Sequence, residues 1–251
     1  SGVFAASCAA VSHRGRHLAY WRWGSTSAPA VMLAHGWGGR AAQMRAFVQP
    51  LLAAGFRVIA FDQPAHGLSE GRLTGLPDFA DAIDAIARRH GGVKAIVAHS
   101  LGATAAALAS TRNDAFERIV LISPPSDLVG YSRSFARWHW LPESARAAMQ
   151  AAIEERFGLR WSELELEHLA PRLTAAALVI HDREDRMVPW TQGERFARAW
   201  RGARLLSTRE LGHGRILEER AVIEAAVDFV RGGNGNAPPA VPALPYPAPI
   251  Y

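Results

Sequence analysis

A chain of 251 residues, 49% hydrophobic and 20% charged, carries enough apolar side chains for one sizeable core, which excludes a disordered or low-complexity protein. The formal charge of +5 invites a nucleic-acid partner, but the cations are arginines scattered, nearly all singly, among acids such as Glu154, Glu155, Glu163 and Glu165, with Lys94 the one lysine. No basic run supplies the electrostatic footprint of a nucleic-acid binder, so none is expected. One cysteine, Cys8, excludes an internal disulfide and suits a reducing, cytoplasmic setting. No stretch reaches the roughly 20 apolar residues that span a bilayer, and nothing in the sequence specifies an oligomer.

Short apolar runs alternate with longer helical patterns, as expected of an α/β protein with a mostly parallel sheet covered on both faces. The apolar "VFAASCAAV" near the start follows no basic segment and is expected as a first strand, not a signal peptide. "FAASCAAV" and "HLAYWRW", joined by "SHRGR", predict an antiparallel hairpin. Further strands are predicted at "AVMLA" (30–34), "FRVIAF" (56–61), "VKAIVA" (93–98), "ERIVLIS" (117–123), "AALVIH" (176–181) and "ARLLST" (203–208). Helical patterns fill about 40–53, 78–90, 101–111, 191–200 and 218–231.

The segment between strands at 127–173 is longer than a crossover requires and reads as two or three amphipathic helices, a small cap. The core is then expected at 1–126 and 174–231. From Gly232 the chain has Pro every two or three residues, which rules out helix or central strand and predicts a polyproline-like tail over 232–251.

In "VAHSLGATAAALA" (97–109), Ser100 stands between a predicted strand and a predicted helix. Ala98 and Gly102, two residues to either side, leave room for strand and helix backbones to approach, a variant of G-x-S-x-G with Ala for the first Gly. A helix N-cap is the simpler role for such a serine. A serine nucleophile needs a base, and the base needs an orienting carboxylate. "HDREDRMVP" puts Asp185 in the loop after one strand, and "LGHGR" puts His213 in the loop after the next. Loops after successive parallel strands emerge at one sheet edge, so Ser100, Asp185 and His213 can converge as a triad. Asp182 and Asp127 are the other candidates for the acid. Two backbone amides, Leu101 after the serine and Trp37 in "HGWGG" (35–39), are expected as an oxyanion hole.

These motifs carry a resemblance. With "HGWGG" at 35–39, "DQPAHGLS" at 62–69, "AHSLG" at 98–102, "HDREDRMVP" at 181–189 and "GHG" at 212–214, the chain resembles the α/β-hydrolases of the esterase/lipase group over about residues 12–231. Ala65 stands where the family's D-x-P-G-H-G-x-S has Gly. The resemblance implies an eight-stranded sheet, a lid after the sixth strand, no cofactor, and the order Ser, Asp, His for the triad. Haloalkane dehalogenase and epoxide hydrolase relatives carry Asp where this chain has Ser100. The spacing H-D-x-x-D-x-x-V-P resembles the pattern in which the later Asp serves, favouring Asp185.

The expected activity is hydrolysis of carboxylic esters with short-to-medium apolar acyl or aryl groups, a small-molecule ester being the partner. The same constellation also serves thioesters and C–C bonds of activated diketones, and the fold can host a non-catalytic ligand-binding protein. Gly36, Gly38 and Ala41 imitate a dinucleotide fingerprint, with Asp62 ending the next strand; that alternative leaves Ser100, Asp185 and His213 unexplained. Ten histidines show no H-E-x-x-H or comparable ligand spacing, so no metal is expected. His35 and His99 are expected as packing and hydrogen-bonding supports, and His139 as a packing residue of the cap. Within the cap, Phe135, Trp138 and Leu141 recur at helical spacing and are expected, with Trp37, to wall the substrate pocket.

Overall fold

The computed structural model describes residues 7–112 and 116–235. Eight strands, β1 (Ser7–His13), β2 (Arg16–Trp23), β3 (Ala30–Ala34), β4 (Arg57–Phe61), β5 (Ala95–His99), β6 (Arg118–Ile122), β7 (Ala176–Asp182) and β8 (Arg204–Thr208), form one sheet in the order β1-β2-β4-β3-β5-β6-β7-β8. β2 is antiparallel to both its neighbours, and every other pairing is parallel. The β1–β2 turn is two residues long, Arg14 at φ 49° and Gly15 at φ 73°. Two positive φ values are what a hairpin turn matched to strand twist demands.

Strand alternation sends side chains into two cores. Met32 and Ala34 of β3, Ile96 and Ala98 of β5, and Ile119 and Leu121 of β6 enter one cluster. Val31 and Leu33, Ala95 and Val97, and Val120 and Ile122 enter the other. The first core is closed by α2 (Leu76–Arg89), α3 (Leu101–Ser110) and α7 (Trp190–Ala199), through Phe79, Ile83, Ala103, Ala106 and Phe196. The second is closed by a 3₁₀ turn (Ala41–Phe47) running into α1 (Val48–Ala53), and by α9 (Arg220–Arg231), through Met44, Phe47, Leu51, Val222 and Phe229. All ten residues of α3 are buried, which accounts for its alanines: only small side chains let a helix lie between a sheet and α2.

The helix expected at 40–53 is thus two pieces, a 3₁₀ turn and a short α-helix. The β6–β7 connection carries α4 (Leu128–Trp138), α5 (Glu143–Phe157), a 3₁₀ turn (Trp161–Leu164), α6 (Leu166–Leu169) and a second 3₁₀ turn (Ala170–Arg172). α5 is not amphipathic in the expected sense. Its one buried residue is Arg146, held by Glu143 (2.7 Å), Ser132 Oγ (3.1 Å) and Gln150 (2.8 Å). Met149 and Ile153 of α5 pack half-buried on the first core.

α4 ends at Trp138, and Trp140 follows at φ 56°, so Leu141 is outside the helix and does not share a helical face with Phe135 and Trp138. The left-handed turn decides this, and sequence periodicity cannot see it. Gly232 caps α9 at φ 112°, and of the expected tail residues 236–251 lie outside the described part of the chain. No helix among the described residues is long and apolar enough to cross a membrane.

Candidate active site

Strand order reverses between β3 and β5: after β3 the chain goes to β4 on one side, and after β5 to β6 on the other. In open α/β sheets this opens a crevice outside the carboxyl ends of the two strands. "HGWGG" follows β3 and Ser100 follows β5, so both stand at that crevice. The loops after β7 and β8, parallel to the same edge, bring Asp185 and His213.

Ser100 is held at φ 53°, ψ −130°, a conformation that costs a non-glycine residue about 1–3 kcal/mol. Its amide donates to Ile122 O (2.8 Å) and its carbonyl accepts from Ala103 N (2.8 Å), so both neighbouring elements pin the turn. A Cβ on Gly102 would lie 2.2 Å from His35 O, and one on Gly36 would lie 2.6 Å from Ser100 Cβ. These close approaches are the physical reason for small residues beside the serine.

His213 Nε2 lies 3.0 Å from Ser100 Oγ, and His213 Nδ1 lies 2.7 Å from Asp185 Oδ2. Burial by itself raises the Asp185 carboxyl, but the His181 ring at 3.5 Å, the hydrogen-bonded His213 ring and the Val188 amide outweigh it and hold the group well below the usual carboxylate range. Asp185 is therefore an ionised acceptor. Nδ1 of His213 must carry the proton it donates, which leaves Nε2 bare to accept from the serine hydroxyl. Asp185 Oδ1 accepts from Met187 N and Val188 N, both at 2.9 Å, which fixes the carboxylate plane.

The other carboxylates have different partners. Asp182 accepts from Thr208 Oγ1 (2.7 Å), Leu211 N (3.2 Å) and Gly212 N (3.0 Å), tying down the loop that leads to His213. His213 itself sits in a single helical turn, α8 (Gly212–Arg215), and not in open loop. Asp127 caps α4 by accepting from Gly130 N (2.7 Å). His99 donates from Nε2 to His213 O (2.9 Å), and His35 accepts from Gln63 N at Nε2 (2.9 Å) while contacting Gly36 O through Nδ1 (2.7 Å). Burial pushes the two rings down to about 3 and about 4, the neighbouring His213 ring adding to the effect on His99. Both are neutral supports of the loops that flank Ser100.

Asp62 accepts from Ala41 N (2.7 Å) and Leu68 N (2.8 Å). Its carboxylate is occupied by backbone, where a dinucleotide site would need it free for a ribose, and the glycine turn leads into 3₁₀ structure. Ala65 takes φ 62°, the conformation that favours glycine. Among the described residues no three His, Cys, Asp or Glu side chains cluster as metal ligands.

In the "HGWGG" loop the Gly38 amide donates to His66 Nε2 (2.9 Å) and the Gly39 amide to Gly36 O (3.2 Å). The Trp37 and Leu101 amides have no acceptor among the described residues. Three cavities meet near Ser100. A narrow apolar one of about 60 Å³ is walled by Trp37, Leu101, Tyr131, Phe135, Met149 and Ile153. A second, of about 440 Å³, contains Ser100 and His213 and is edged by Gln43, Arg45, Arg215 and Glu218. The third, about 300 Å³, opens outward between Phe135, Trp138, Arg186 and Met187. Leu141 lines none of these three, whereas Trp37, Phe135 and Trp138 each line at least one.

Tyr131 was not singled out for the site by its sequence, three residues beyond a strand-end loop and one aromatic among many. Its hydroxyl faces Ser100; burial pushes it up to about 12, and contact with the serine hydroxyl offsets part of that. Met187, likewise missed, gains its place from the Asp185 turn.

This sheet order, with the nucleophile turn after β5 and the acid and histidine loops after β7 and β8, defines the class: the chain has the α/β-hydrolase fold. A family model described as alpha/beta hydrolase fold matches residues 29–139, and one described as TAP-like protein matches residues 162–241. Among solved structures, the Pyrococcus furiosus esterase Pf2001 is similar at TM-score 0.74 and 20% identity, covering 92% of this chain and 93% of that one. A predicted CIB-like hydrolase from Thermoplasma acidophilum is similar at TM-score 0.69 and 17% identity, covering 91% and 99%. The Rhodococcus esterase RhEst1 is similar at TM-score 0.67 and 18% identity, covering 90% and 98%. No curated protein matches the sequence.

Proposed function

We propose that this protein is a serine hydrolase that cleaves carboxylic esters of short-to-medium apolar acyl or aryl groups through an acyl-enzyme intermediate. The observation that carries the reading is the chain Ser100 Oγ–His213–Asp185, at 3.0 and 2.7 Å, built on a strained strand-to-helix turn.

In this reading His213 Nε2 takes the Ser100 proton as Oγ attacks the ester carbonyl, while Asp185 stabilises the imidazolium that forms. The negative charge on the carbonyl oxygen is met by the amides of Trp37 and Leu101, which have no acceptor among the described residues. His213 then gives its proton to the departing alkoxide, and a water activated by the same ring releases the acid. Because the leaving group must reach His213 Nε2, it belongs in the larger cleft that contains His213. The acyl group belongs on the opposite side, in the narrow apolar cavity beside Leu101. That cavity offers almost no partner for charge, so an uncompensated ionised acyl group is disfavoured.

The test is labelling by a fluorophosphonate probe with the adduct located by mass spectrometry, run beside p-nitrophenyl esters of increasing acyl length and acyl-CoAs. Label on Ser100, its loss in Ser100→Ala, and faster turnover of short apolar esters than of acyl-CoAs are expected. No label, or label elsewhere with esterase activity retained by Ser100→Ala, overturns the assignment.

A further inference from the structure

The end of α4 and the turn into α5, Trp138-His139-Trp140-Leu141-Pro142, are exposed at all five residues. Trp140 is 93% exposed, Trp138 64%, Leu141 44% and nearby Met187 38%. Large apolar side chains are rarely left so open in a row. The turn is nonetheless defined by backbone hydrogen bonds. His139 N donates to Phe135 O (3.1 Å), Trp140 N to Arg137 O (3.3 Å) and Leu141 N to Ala136 O (2.8 Å). Trp140 also takes φ 56°, a conformation with a backbone cost for a bulky residue. The left-handed residue ends α4 and leaves its indole outward.

The patch has a direction. Trp138, Phe135, Met187 and Arg186 wall the outer cavity, which shares Trp37 and Tyr131 with the apolar cavity beside Leu101. The apolar tip is thus continuous with the mouth of the Ser100 site. Around it stand Arg137, Arg186 and Arg215, none of which pairs with a carboxylate among the described residues. Of the carboxylates nearby, Glu143 pairs with Arg133 and Arg146, Glu184 with Arg209 and Glu218 with Arg45, which among the described residues leaves Glu210 as the opposing charge.

Four apolar side chains fall well short of the roughly 20–30 residues a side of a standard protein interface. Inserting a few side chains into a lipid surface needs no such area. Tryptophan beside arginine is the chemistry of the membrane–water boundary, where the ring lies at headgroup level and cations meet anionic lipid. We propose that the 138–142 turn docks this protein on anionic lipid–water interfaces, with the mouth of the Ser100 site facing the surface. The docking stands on the patch alone. Its benefit, delivery of apolar esters that gather at the interface, rests on the hydrolase reading above.

The experiment is cosedimentation of the full chain with vesicles of equal parts phosphatidylcholine and phosphatidylglycerol. Trp140→Gly removes the indole and suits the φ 56° backbone, so its fold should be kept. Binding of the unaltered protein is expected, with about a tenfold weaker partition for Trp140→Gly. Arg137→Gln and Arg186→Gln should each cost about fivefold on these vesicles and nothing measurable on pure phosphatidylcholine. Trp140→Gly should hydrolyse soluble p-nitrophenyl acetate at the unaltered rate, since Trp140 lines none of the three cavities. Absence of vesicle binding overturns the proposal, as does equal binding by Trp140→Gly. A dimer in sedimentation velocity that Trp140→Gly dissociates, without vesicle binding, assigns the patch to a second copy of the chain instead. Vesicle binding without any esterase activity would leave the docking intact and remove the hydrolase reading.

Discussion

Replacing Asp185 by Asn tests the proposed chemistry most sharply, because the surroundings dictate where the new amide points. Oδ1 accepts from Met187 N and Val188 N, so the Asn carbonyl must take that position. The NH₂ then falls at the Oδ2 position, 2.7 Å from His213 Nδ1. Two donors cannot face one another at that distance, so His213 moves its proton to Nε2 and accepts from Asn at Nδ1. Nε2–H then points at Ser100 Oγ, 3.0 Å away, and can no longer accept the serine proton. The wrong tautomer costs about 10⁴ in kcat in the serine-protease case, which corresponds to about 5.4 kcal/mol of transition-state stabilisation. Purified Asp185→Asn assayed on p-nitrophenyl butyrate should lose activity by about that factor, with an unchanged far-UV circular dichroism spectrum. Asp127→Asn should lose little kcat, since its carboxylate serves Gly130 N. Activity of Asp185→Asn within tenfold of the unaltered enzyme would refute the tautomer argument.

The strain at Ser100 predicts that Ser100→Gly is more stable than Ser100→Ala, by about 1 kcal/mol after the entropy of the glycine is deducted, in thermal or denaturant unfolding, although both are inactive; a less stable Gly variant contradicts it. Acid should destabilise the fold from below pH ~6.5, the unfolded imidazole value. His35 and His99, held down to about 4 and about 3, stay neutral in the fold while the unfolded chain takes up protons. Each then contributes a slope of roughly 1.4 kcal/mol per pH unit inside its window, present in full above it and lost as pH falls. His90, also at about 4, acts in the same direction; Glu165, raised to about 7 by burial and by Asp127, acts in the other. Melting temperatures between pH 7 and pH 4.5 should therefore fall, and fall less steeply in His99→Asn. Trp138→Ala should shift the preferred acyl length while moving the melting temperature little, because the indole is 64% exposed and lines the outer cavity; a large melting change with uniform loss across ester lengths would assign Trp138 to packing.

Much of this architecture is legible in the sequence because it is local. Short continuous apolar runs such as "AVMLA", "AIVAH" and "RIVLI", bounded by turn residues, mark strands buried on both faces. Glycine marks the sites where backbone must approach backbone, as at Gly36 and Gly102. Ser100, Asp185 and His213 can be paired from the sequence because parallel strands send their trailing loops to one edge. Only the three-dimensional structure decided the rest, in some cases through partners distant in the chain and in others through local backbone turns that spacing does not reveal. Asp185 rather than Asp182 meets His213 because Thr208 and the Leu211 and Gly212 amides occupy Asp182. Leu141 leaves the pocket because Trp140 turns the chain left-handed after α4, which helical spacing cannot reveal. Tyr131 and Met187 reach the site through the packing of the β6–β7 connection and the Asp185 turn, neither of which leaves a periodic trace. Spacing along a chain reports which residues share a face; which faces meet is set by packing between elements that the sequence separates by scores of residues.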